Sequence, residues 1–82
     1  MMSVRVKFFG PLRDVVDADD LLLELPDHCT GEAAFDLLAS RHPALKHWKE
    51  SVRLAVNLEY KPFAEVLGPS DEVCFIPPVS GG

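Results

Sequence analysis

Prolines divide this chain. They stand at positions 11, 26, 43, 62, 69, 77 and 78, and each bars a helix interior or a central-strand position at its own site. Only the interval between Pro26 and Pro43 carries helical apolar spacing. Thr30 is a fitting N-cap there. Ala34, Leu37 and Leu38 follow at i, i+3 and i+4, and Phe35 widens the stripe. The spacing therefore predicts one main helix. It ends at His42-Pro43, because the residue before a proline is pushed out of the α region. Pro43 can open a second, short helix that runs through Trp48.

The other intervals read as strands and turns. Val4-Arg5-Val6-Lys7-Phe8 alternates at period two, so Val4, Val6 and Phe8 face a core. Gly10-Pro11 stops that strand, Leu12 to Val16 make a helical turn, and Asp17 to Asp20 an acidic turn. Leu21 to Leu25 form a second strand, antiparallel to the first, which Pro26 ends. Val52, Leu54, Val56 and Leu58 alternate with Arg53, Ala55, Asn57 and Glu59 as a third strand. Tyr60 to Phe63 make a short edge strand, since Pro62 does not suit a central one. Gly68-Pro69-Ser70-Asp71 is a turn, and Glu72 to Ile76 is the last strand with Val73 and Phe75 inward. A helix covering one face of a mixed four- to five-stranded sheet is an α+β arrangement. With the first and last strands parallel at its centre, the plan is a β-grasp. The expected organisation is a domain over residues 1–76 and an extended tail over 77–82.

Charge and cysteine usage narrow the function. Thirteen acids against eight Lys and Arg give a net charge of −5, and no basic stripe is present, which argues against a nucleic-acid partner. No apolar run approaches a membrane span, and residues 1–7 lack the run of a signal peptide. Cys29 and Cys74 read as reduced thiols, so the expected location is the cytoplasm. His28, His42 and His47 sit in no metal or catalytic motif, and no metal is expected. His28 adjoins Cys29 without further ligands at zinc spacing, neither cysteine sits in a nucleophile motif, and no phosphate-binding glycine loop or nucleophile elbow occurs.

The chemistry points instead to the sequence Pro77-Pro78-Val79-Ser80-Gly81-Gly82. Two prolines stiffen the exit and reduce the entropy lost when the tail enters a partner. Six residues reach on the order of 20 Å. Gly81 and Gly82 have no side chain, so they pass a narrow channel. An ionised carboxylate on Gly82 can attack the α-phosphate of ATP, and a sulfur donor can then displace AMP. Upstream, Phe9 falls on the Arg5 and Lys7 side of the first strand, and Ile76 on the Cys74 side of the last. Phe9 and Ile76 are thus apolar on the solvent face at the root of the tail, and Tyr60 can join them. Such a cluster marks a protein interface.

Val6-Lys7-Phe8-Phe9-Gly10 with Arg13, then Leu54-Ala55-Val56-Asn57, then Asp71-Glu72-Val73 and Phe75-Ile76-Pro77-Pro78-Val79-Ser80-Gly81-Gly82 together resemble the small subunits of molybdopterin synthase. Pro69-Ser70-Asp71 departs from the Gly-Asp turn of many members, and Cys29 to Glu50 matches in pattern rather than in letters. The resemblance implies a ubiquitin-like β-grasp fold and a sulfur-carrying role in molybdenum cofactor biosynthesis. It implies that Gly82 is adenylated by a ubiquitin-activating-type adenylyltransferase that uses ATP, and becomes a thiocarboxylate. The sulfur would come from a donor such as a rhodanese or a cysteine desulfurase. The tail, through Pro77, Pro78, Val79, Ser80 and Gly81, would enter the large synthase subunit and deliver sulfur to cyclic pyranopterin monophosphate. Two small and two large subunits would form the heterotetramer. The family's contact positions match Phe9, Tyr60 and Ile76. No permanently bound cofactor is implied, and the chain would not be a catalyst on its own. Carriers for thiamin thiazole synthesis or tRNA thiolation, a protein modifier joined through isopeptide bonds, and a plain interaction domain are the competing readings.

Overall fold

The computed structural model describes residues 1–78. Its elements are β1 (Met2–Phe8), α1 (Pro11–Val16), β2 (Asp20–Leu25), α2 (Gly31–Arg41), a 3-10 helix (Pro43–Trp48), β3 (Arg53–Val56), β4 (Glu59–Lys61) and β5 (Glu72–Ile76). The five strands form one sheet in the order β2-β1-β5-β3-β4. β1 and β5 run parallel at its centre, and the β1–β2, β3–β4 and β3–β5 pairs are antiparallel. This is the β-grasp order expected from the sequence.

Register follows from burial. Val6 stands opposite both Leu21 and Val73, and Phe8 stands opposite Phe75. Leu54 and Val56 of β3 continue the row through Phe75 and Val73. Val4, Val6, Phe8, Leu23, Leu25, Leu54, Val73 and Phe75 are all buried. Ala34, Phe35, Leu38 and Ala39 of α2 join them in one core. A one-residue slip of any strand would turn this set to water. Each fully buried large side chain contributes about 1.5–3 kcal/mol. The sheet is therefore pinned with its charged positions on the face away from the helix.

The main helix starts where Thr30 predicts. Thr30 is extended, and its Oγ1 accepts from Ala33 N at 3.1 Å. Two further first-turn donors go to the segment before β5: Gly31 N to Glu65 O at 3.0 Å and Glu32 N to Phe63 O at 2.9 Å. Helix ends leave such N–H groups without intrahelical partners, so residues 63–65 close α2 as well as connecting strands. Gly31 permits the contact with β3. A Cβ there would run into Leu54 Cδ2 and lie 3.3 and 3.4 Å from Cδ1 and Cγ.

β1 and β2 begin earlier than the sequence reading, at Met2 and Asp20, β3 begins one residue later, at Arg53, and the main differences lie around β3 and β4. β3 stops at Val56, and Asn57 and Leu58 (φ 51° and 70°) form a two-residue turn with Val56 paired to Glu59. Leu58 is thus a turn residue, 85 % exposed, rather than the end of an alternating strand. The edge strand is Glu59–Lys61, so Phe63 lies beyond it. Phe63 packs against Phe35 and Phe75, edge-on to the first and stacked on the second, each at 6.3 Å between centroids. Leu37 is only partly buried, on the flank of the helical stripe.

Candidate functional site: the open sheet face and the root of the tail

Cross-strand partners share a face, so the pairing defines the side of the sheet without helices. One row across it is Asp20, Lys7, Cys74, Ala55 and Tyr60. The next row pairs Ile76 with Arg53. On the other side of the central row, Arg5 pairs with Leu22 and Glu72.

Charged arms lie over this face. Lys7 Nζ sits 3.4 Å from Glu72 Oε2, and Arg5 Nη1 sits 3.4 Å from Asp20 Oδ2. Both pairs are partly solvated, so each adds little to stability. Beside them, toward β3, the sheet floor is apolar: Ala55 and Cys74 are buried. Burial pushes the Cys74 thiol up, Glu72's charge adds to this, and Lys7 opposes it. Burial also raises Cys29. Both stay protonated thiols at neutral pH, and neither is an activated nucleophile.

Phe9 is 45 % exposed immediately after the buried Phe8. Phe8 pairs with Phe75, so Phe9 follows where Ile76 follows in the parallel neighbour. Carried one residue past its last pair, that register sets Phe9 level with Ile76, and Gly10, next along, lies close to Pro77. Tyr60 is on the same face but further off. It lies two strands from Ile76 and two residues along, roughly 12 Å by ordinary sheet spacings. Arg53 occupies the ground between, which the sequence reading did not foresee. Arg13, one turn into α1, reaches Asp19 at 3.5 Å and lines a cleft of ≈ 260 Å³ with Lys7, Phe9 and Asp20.

The tail's root is fixed by the same corner. β5 ends at Ile76, and Pro77 and Pro78 follow outside the ladder. Gly10 takes φ +57°, ψ −135° to turn the chain from β1 into α1, and a Cβ on it would sit 3.4 Å from Pro77 Cγ. Val79, Ser80, Gly81 and Gly82 lie outside the described residues. Among the described residues, no group of three or more His, Cys, Asp and Glu side chains is placed to hold a metal ion. No described helix is long and apolar enough to cross a membrane.

A β-grasp sheet of this order, whose central strand leads out into Pro77-Pro78 beside an open sheet face, defines a ubiquitin-like protein. The ThiS family model matches residues 6–82, and the chain belongs to that family. The molybdopterin synthase sulfur carrier subunit of Mycobacterium tuberculosis is 35% identical over 83 residues, with 100% of both chains covered. A solved structure described as a putative molybdopterin converting factor, subunit 1, from Pyrococcus furiosus superposes with a TM-score of 0.86 at 29% identity, covering 96% of this chain and 100% of that one. SAMP1 from Haloferax volcanii superposes with a TM-score of 0.85 at 27% identity, over 98% and 99%. The resemblance to molybdopterin synthase small subunits, read from the sequence, agrees with these relatives.

Proposed function

We propose that this chain is a sulfur carrier of molybdenum cofactor biosynthesis, acting through a thiocarboxylate on Gly82. The observation that carries the reading is the full-length alignment with a molybdopterin synthase sulfur carrier subunit, joined to the Pro-Pro exit from the central strand. In the first step the Gly82 carboxylate oxygen attacks the α-phosphate of ATP within an activating adenylyltransferase. An acyl adenylate forms and pyrophosphate leaves. A persulfide-type sulfur from a rhodanese or cysteine desulfurase then attacks the acyl carbon and AMP departs. Reductive cleavage of the S–S bond by a thiol leaves the thiocarboxylate. The tail then enters the large synthase subunit, which supplies the catalytic groups for transfer to cyclic pyranopterin monophosphate. Two small and two large subunits make the working assembly, and the setting is the cytoplasm.

The chain's own residues do the presenting. Phe9 and Ile76 offer apolar contact beside the tail's root, Tyr60 extends that contact across the sheet, and Pro77 and Pro78 hold the exit extended. The protonated thiols of Cys29 and Cys74 do not compete with the terminal group for activation. Incubation with the activating enzyme, ATP and a sulfur source should replace one oxygen by sulfur at Gly82, read by mass spectrometry. An unchanged mass, under conditions that convert a known carrier, would remove the reading. Phe9→Asp should weaken binding to the large subunit with little change in melting temperature, because the side chain is half exposed.

SAMP1 is described in a second similar structure as small archaeal modifier protein 1, and this likeness supports a second reading, a protein modifier. Both readings share the adenylate and part at the next step, where a lysine amine rather than sulfur attacks the acyl carbon. Isopeptide adducts in cells, with no thiocarboxylate, would favour the modifier.

A further inference from the structure

Leu58 stands in a place that neither stability nor solubility explains. It follows Asn57 in the two-residue turn between β3 and β4, and both have positive φ, 51° and 70°. Such mirror-image turns favour Asn followed by Gly, because only glycine reaches this region without a Cβ penalty. The sequence supplies the Asn and then leucine. That leucine is also 85 % exposed, the most of any large apolar side chain among the described residues. A strained backbone and an unburied apolar side chain at one residue point to a role outside the fold.

The turn is also rigid. Asn57 N donates to Glu72 O at 2.8 Å, Asn57 Nδ2 donates to Asp71 Oδ1 at 2.9 Å, and Glu72 N donates to Asn57 Oδ1 at 3.0 Å. The tip is thereby tied to the start of β5, and little backbone freedom remains to be lost on binding. Tyr60, two residues on and 67 % exposed, belongs to the open face. The tip lies at the Glu72 end of β5 and the tail's root at the Ile76 end, separated by roughly 13 Å of strand. A partner of ordinary size covers about 800 Å², a disc roughly 30 Å across. One partner seated on the open face therefore reaches both ends.

We propose that Leu58 is an apolar anchor that inserts into a pocket of the same protein that receives the tail, the large synthase subunit. The inference rests on the sulfur-carrier reading. An anchor remote from the tail slows dissociation. That suits a subunit held in a lasting assembly, whereas an activating enzyme must release its product at each turnover.

The test uses the full chain with Leu58→Gly and Leu58→Asn, two residues that accept the left-handed conformation. Thermal unfolding and titration against the large subunit are read in parallel. Both variants should keep or raise the melting temperature, by up to a few degrees, while affinity falls on the order of tenfold to a hundredfold. The opposite signs are the signature. Unchanged affinity in both variants overturns the anchor and leaves the carrier reading intact. A fall in melting temperature that tracks the fall in affinity makes Leu58 structural and also overturns it. A loss confined to the Michaelis constant of adenylation also overturns the proposal, because it assigns Leu58 to the activating enzyme. If the unaltered protein fails to bind the large subunit at all, the carrier reading falls and the anchor with it.

Discussion

Replacing Gly31 with alanine tests the closest approach between helix and sheet. Gly31 is the first residue of α2 and is buried against β3. The added methyl would run into Leu54 Cδ2, with Cδ1 and Cγ at 3.3 and 3.4 Å. Leu54 is 1 % exposed, so its side chain can give way only by shifting against its packed neighbours. Overpacking of this kind costs about 1–3 kcal/mol. Alanine's advantage over glycine in a helix offsets about 0.5–1 kcal/mol of that. The net loss, about 1 kcal/mol at mid-range and at most about 2.5, corresponds to roughly 4–8 °C of melting temperature per kcal/mol in a domain of this size. Urea denaturation should show a lower midpoint with an unchanged slope. The mechanism is isolated by repeating the change in a Leu54→Ala background. That substitution alone costs about 2–5 kcal/mol, but it removes the atoms that the methyl meets. Gly31→Ala should then be neutral or stabilising, since the methyl fills part of the space and the helix gains. An equal penalty in both backgrounds would refute the steric account.

Thr30→Ala removes the acceptor for Ala33 N, and denaturant titration should show a loss of about 1 kcal/mol. With a raised thiol, Cys74 favours its neutral form in the fold. Its contribution is fully present below the unfolded thiol's pKa, about 8.5, and is lost as pH rises through the folded value. Stability should therefore decline on the alkaline side, and Cys74→Ala should flatten that decline. At neutral pH, alkylation mapped by mass spectrometry should reach the partly buried Cys29 before the buried Cys74.

Much of this was legible because its causes are local. The alternation of Val4, Val6 and Phe8 needs no distant partner to be read. Thr30 caps its helix through a bond three residues on, and Pro43 ends it through sterics with His42. Parity likewise separates Phe9, 45 % exposed, from the buried Phe8 before it. The misreadings came from causes far along the chain. Alternation seemed to carry β3 through Leu58, but the turn is set by Asn57's bonds to Asp71 and Glu72, 14 and 15 residues away. Phe63 looked like a strand residue, but its position is decided by the rings of Phe35 and Phe75. Arg53, between Ile76 and Tyr60, became visible only once β3 and β5 were in register.

The central position of β5 has a mechanical consequence. Its last residue leads directly into Pro77, and it is bonded along one edge to β1 and along the other to β3. A neighbour drawing the tail into a narrow channel therefore loads two ladders lengthwise, and their bonds share the force instead of parting one by one. A terminus hung from an edge strand would peel. Here traction on the tail is resisted by the middle of the sheet, so the strand can be held taut while the body keeps its shape.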